Sequence, residues 1–151
     1  MNYSRDDKEL MERLAHKQAY IFKRASNDKL PAYSFIKMYM CSEKVGKLDK
    51  LILVDDDEIY IPIKLRIKRR GRTITPIIMH WIGYIYRCLS YLYNVQSRIL
   101  YRKVPPKYLL SVYHLYHSQD PIKASPWIYK AKLQNKQTDL ERALSLMKQI
   151  Y

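Results

Sequence analysis

Apolar residues recur along most of this chain at helical spacing. Leu10, Met11, Leu14, Ala15, Ile21 and Phe22 return every three or four positions and predict an amphipathic helix over about residues 5–25, started by Ser4 with Asp7 three residues on. Asn27-Asp28 reads as a break. After Pro31 a second helix carries Phe35, Ile36, Met38, Tyr39 and Met40 and ends between Cys41 and Val45. The most apolar stretch begins at Pro76. Wound as a helix, Ile77 to Tyr93 is apolar over more than half its circumference, leaving one strip of His80, Gly83, Tyr84, Arg87, Ser90 and Tyr91. Such a helix is a hub for others, with the strip as its only polar face.

Residues 50–68 change period. Leu51-Ile52-Leu53-Val54 is a short apolar run, followed by the acidic turn Asp55-Asp56-Asp57-Glu58. Ile59, Ile61, Ile63, Leu65 and Ile67 then alternate with Tyr60, Pro62, Lys64, Arg66 and Lys68. Alternation predicts a strand with one apolar and one basic face, and Pro62, lacking an N–H, places it at an edge. Beyond the hub, Ser97 to Lys103 is a short helix stopped by Val104-Pro105-Pro106, and Lys107 to Ser118 is another. Asp120-Pro121 and Ser125-Pro126 each read as a helix start leading through Trp127, Ile128 and Ala131. Thr138 with Glu141 forms a capping box for a last amphipathic helix. The expected fold is therefore mainly α: a compact helical domain around the central helix 76–94, with a small basic β-hairpin at about 50–68. Residues 1–135 make up that domain and 136–151 the C-terminal helix.

Charge is distributed unevenly over the 151 residues. The net charge is +14, and residues 59–138 hold fifteen Lys/Arg against a single acid, Asp120, while the remainder balances. Such a surplus attracts phosphates, acidic protein surfaces or anionic lipid. Three isolated glycines exclude a Gly-rich phosphate loop. Two cysteines and a polar start, Met1 to Lys8, lead us to expect a cytoplasmic protein. The interrupted stretch 77–93 argues against a membrane span.

Lys64, Arg66, Lys68, Arg69, Arg70 and Arg72 form the densest basic run, suited to clamping an acidic partner surface, although a charged edge strand that resists aggregation has the same composition. Tyr84, Arg87 and Tyr91, on the polar strip, are the aromatic and arginine anchors that interfaces favour. Tyr86 to Val104 has the outline of a helix-turn-helix, with Arg98, Arg102 and Lys103 directed outward as groove readers. Asn94 stands where a turn glycine is usual, and Lys103 takes a usually apolar place. His117 and Asp120 are a polar pair near a helix end, more simply read as a local hydrogen bond than as a catalytic site. The cysteines have no zinc-finger partners, and Asp55 to Glu58 reads as a hydrated turn rather than a magnesium site. No metal or cofactor is implied.

The string Met79-His80-Trp81-Ile82-Gly83-Tyr84-Ile85-Tyr86-Arg87, with Ser97 to Tyr101, Val104-Pro105-Pro106, Tyr116-His117 and Asp120-Pro121, resembles a group of small antitoxin-like proteins encoded in bacterial two-gene toxin–antitoxin loci. The resemblance covers roughly residues 35–130. It implies a non-enzymatic protein that neutralises a cognate toxin by protein–protein contact. The basic run 64–72 and the helix after Lys136 depart from that pattern. The expected partner is an acidic protein, a toxin, with a homodimer compatible. The alternatives are a helix-turn-helix-like DNA-binding regulator and a phage-borne inhibitor of a host defence nuclease.

Overall fold

A computed structural model describes residues 5–68 and 70–150. Among them are eight helices and no strand: α1 (Arg5–Asn27), α2 (Ala32–Met40), α3 (Val45–Asp49), α4 (Asp56–Arg66), α5 (Pro76–Tyr93), α6 (Ser97–Lys103), α7 (Pro106–Tyr116) and α8 (Pro121–Ile150). The mainly helical expectation holds, and α5 is the hub. It packs along α1 over most of its length and also meets α6, α7 and α8.

The polar strip of α5 does not face solvent. It is the seam with α1. Gly83 makes the seam possible, because a Cβ there would stand 2.8 Å from Phe22 Cγ and 3.0 Å from the Gln18 carbonyl oxygen. Around it the rings of His16 and Tyr84 meet edge to face at 5.1 Å, as do those of Tyr20 and His80 at 5.9 Å. A second layer joins α1, α2 and α4 through Phe22, Phe35, Tyr39 and Tyr60, whose rings pack at tilted and edge-to-face angles.

The β-hairpin expected at 50–68 is absent; a helix, α4, stands in its place. Residues spaced by two include residues spaced by four, and the buried members of the alternating series are Ile59, Ile63 and Ile67. Ile61 and Leu65 point outward, Leu65 being 80% exposed. The acidic turn is the start of this helix: the Asp55 carboxylate accepts a bond from the Asp57 N–H, and Asp56, Asp57 and Glu58 occupy the positive end of the helix dipole. Pro62 sits inside α4, not on a strand edge, and cannot bond the Glu58 carbonyl four residues back. That oxygen accepts instead from Lys44 Nζ at 3.3 Å.

The run Leu51 to Val54 is also not a strand. Leu51 adopts φ 61° and its N–H bonds the Leu48 carbonyl, ending α3, a short helix that the apolar pattern did not indicate. The two expected C-terminal helices are one. Asp120 caps α8, its carboxylate accepting from the Ile122 N–H at 2.9 Å, and the helix passes through Pro126 and Thr138 without a break. Ser125, expected as a second cap, bonds the Pro121 carbonyl from within the helix. Ser4, expected as the cap of α1, lies outside the described residues.

Candidate functional site

Two polar regions stand out, one buried and one exposed. The buried one centres on Arg87, 1% exposed on α5. Its Nη1 donates to Asp49 Oδ1 at 2.7 Å, and its Nη2 and Nε donate to Gln18 Oε1 at 2.7 and 3.2 Å. Nη2 also reaches Ser97 Oγ at 3.3 Å. Asp49 receives the Ser97 N–H at 2.9 Å and the hydroxyls of Ser97 and Ser90 at 2.5 and 3.3 Å. The carboxylate at the end of α3 therefore caps α6 from a distance. Gln18 completes the network by accepting from the Tyr39 hydroxyl and donating to the Gly83 carbonyl at 2.8 Å. Arg87 is thus not a surface anchor: its charge is spent on tying α1, α3, α5 and α6 together.

Tyr84 and Tyr91 share its fate in part. Both are half-buried beside the small cluster of Met11, Ala15 and Cys88. Burial, with Cys88, Glu12 and Asp120 nearby, pushes the Tyr84 hydroxyl up to about 12. Burial raises the Cys88 thiol to about 12 as well, leaving it without thiolate character at neutral pH. His80 titrates below its ordinary value, through burial first and then through Lys23 and His16.

The exposed region is the basic segment after α4. Arg66, Lys68, Arg70 and Arg72 are exposed and enter no ion pair among the described residues; Arg69 lies outside them. Lys64 is internally matched, 3.3 Å from Asp28 Oδ2. The acids of α4 are engaged elsewhere. Asp56 pairs with Lys17 at 3.1 Å, Asp57 with Arg24 at 2.6 Å and Glu58 with Lys44 at 3.8 Å, all cations from the first third of the chain. The segment is pinned to the start of α2, where the Arg72 carbonyl accepts the Ala32 N–H at 2.8 Å. Gly71, at φ 141°, lies so close to Pro31 that a Cβ would fall 2.9 Å from the proline Cβ. From the other side Lys107 Nζ lies 5.8 Å from the Tyr33 ring. The basic segment and the α6–α7 corner thus converge on one helix end.

Tyr84, Arg87 and Tyr91 do not join this surface. Tyr91 is fifteen residues past Pro76, about 22 Å along α5 from the basic segment. Arg98, Arg102 and Lys103 are exposed on α6, as a groove-reading helix needs, and Asn94 takes the turn in the left-handed conformation (φ 50°) usually given to glycine. His117 and Asp120 do not form a pair. The His117 ring stacks on Tyr113 with centroids 4.7 Å apart and its Nδ1 lies 3.0 Å from the Tyr113 carbonyl oxygen, while Asp120 caps α8.

Sequence reasoning missed Asp49, Gln18 and Ser97 as the partners of Arg87. No local spacing links residues so far apart; the one available signal was an arginine on a helix otherwise too apolar to be wet. No cluster of metal-ligating side chains occurs among the described residues, and none of the helices searched there is long and apolar enough to cross a membrane. Comparison with protein-family models, with curated proteins and with solved structures finds no match for the chain.

Proposed function

We propose that this chain is a binding protein that captures an acidic partner protein through the surface where residues 66–72 meet the starts of α2 and α7, acting as an antitoxin that masks a cognate toxin. The observation that carries the reading is the fate of the acids. Asp56, Asp57 and Glu58 neutralise Lys17, Arg24 and Lys44, so Arg66, Lys68, Arg70 and Arg72 keep an unmatched field beside the start of α2. Occlusion needs a complementary surface of about 800 Å² per partner rather than a reactive group. The resemblance of residues 35–130 to antitoxin-like proteins points the same way.

The test is capture of the product of the neighbouring gene by the wild type and by an Arg66→Glu/Arg70→Glu/Arg72→Glu variant. All three side chains are exposed, so circular dichroism should be unchanged while capture weakens by at least about 100-fold, since closely placed charge pairs at interfaces couple by several kcal/mol. Undiminished capture refutes the assignment of this surface. Exposure of Arg98, Arg102 and Lys103 on α6 supports a second reading, binding of duplex DNA. That reading requires affinity falling steeply with salt and lost in an Arg98→Ala/Arg102→Ala variant, with the loop variant retaining sequence preference.

A further inference from the structure

Between α3 and the α5–α6 turn the surface opens into a cavity of about 650 Å³, within the range that holds small ligands. It shares Asp49, Lys50, Ser90 and Asn94 with a smaller cavity of about 140 Å³ that reaches the buried Arg87. Three exposed cations line the larger one, Lys47 and Lys50 around the end of α3 and Arg98 on α6, and none has an ion-pair partner among the described residues. Of the two acids that line it, Glu43 lies at the surface and Asp49 is already neutralised by Arg87. The net lining is cationic, and the inner wall offers hydrogen-bonding groups. Asp49 Oδ2 accepts one bond, from the Ser97 N–H, and has capacity for a second; Asn94 and Gln96 line the same cavity.

We propose that this cavity binds a phosphorylated small molecule bearing hydroxyl groups, a nucleoside or sugar phosphate, with Lys47, Lys50 and Arg98 holding the phosphate and Asp49 with Asn94 receiving the hydroxyls. A bare polyanion strand would meet the cations but not the recessed carboxylate. A neutral sugar would meet the carboxylate but leave the cations idle. The site is separate from the basic segment at residues 66–72 and does not depend on the partner proposed for it.

Cys41 lines the same cavity and is an exposed free thiol, whereas Cys88 is buried, so the protein carries its own reporter. The experiment is the rate of Cys41 modification by an aromatic disulfide reagent in the full chain at fixed ionic strength. The probes are inorganic phosphate, pyrophosphate, ADP and glucose 6-phosphate, with adenosine and glucose as uncharged counterparts. ADP or glucose 6-phosphate should slow the reaction saturably, by about tenfold at a concentration ten times the dissociation constant, and more effectively than either inorganic ion or the uncharged counterparts. Lys47→Ala/Arg98→Ala should abolish the protection and Arg70→Glu/Arg72→Glu should preserve it. Absence of saturable protection by ADP and by glucose 6-phosphate at millimolar concentration overturns the proposal. So does equal loss in both double variants, which would reduce the effect to the general field of the molecule.

Discussion

Removing the guanidinium of Arg87 would leave the mostly buried Asp49 carboxylate beside Ser90 and Ser97 without its ion-pair partner. Breaking a buried pair from one side costs about 3–5 kcal/mol, so Arg87→Met should lower the urea midpoint by that equivalent, although methionine fits the volume. Asp28 offers a milder test at the surface. The Tyr60 hydroxyl donates to its carboxylate and Lys64 lies beside it, so its pKa is held below the ordinary value. A group lowered by folding contributes stability that is present above its unfolded pKa and disappears as pH falls through the folded value. Wild type should therefore lose its advantage over Asp28→Asn as pH drops below about 4, and the two acid-unfolding curves should converge there.

At the scale of the element, α4 shows why a pattern can be legible and still be assigned to the wrong shape. Alternating isoleucines satisfy period two over the whole run, but Ile59, Ile63 and Ile67 also satisfy a helical stripe, and only the Asp55 cap and the acids after it separate the two. Asp55 with Glu58 three residues on has the spacing of a capping box, a helix-start signal. Pro62 argued for an edge strand because proline is costly in a helix; the cost is met by Lys44, which takes the orphaned Glu58 carbonyl. Since the Pro62 side chain is exposed, Pro62→Ala should restore the missing backbone bond and stabilise the protein by about 1–3 kcal/mol, read from thermal or urea unfolding. Helices α1, α2, α5, α6 and α7 were legible to within a few residues because each has a stripe, a break or a proline at its border. The merger of two expected helices into α8 was not, because Pro126 and Thr138 are start signals that a continuing helix can also tolerate.

Across the whole molecule, the charge count was legible and its placement was not. That fifteen cations meet one acid over residues 59–138 follows from the sequence, but only the fold shows that Asp56, Asp57 and Glu58 turn toward α1 and Lys44, leaving Arg66, Lys68, Arg70 and Arg72 without an ion pair among the described residues. The exposed cations of residues 66–72 should steer an acidic partner, so its association rate should fall by at least about tenfold from low to physiological salt, with a much smaller change in dissociation, as stopped-flow mixing would show. The composite anchor of Tyr84, Arg87 and Tyr91 fails for a single reason: polar residues on a hub helix read as its wet face, whereas Gly83 lets that face make the most extensive helix contact among the described residues.

The pairing of α1 with α5 also has a consequence for how the protein is made. Gln18 and Gly83, which bond across that seam, are sixty-five residues apart. At about 5–20 residues per second, α1 waits roughly 3–13 s after leaving the ribosome before its mate emerges. During that interval Leu14, Phe22 and their neighbours are uncovered on a nascent chain. A chaperone that shields short apolar helices at the exit tunnel should therefore raise the yield of this protein.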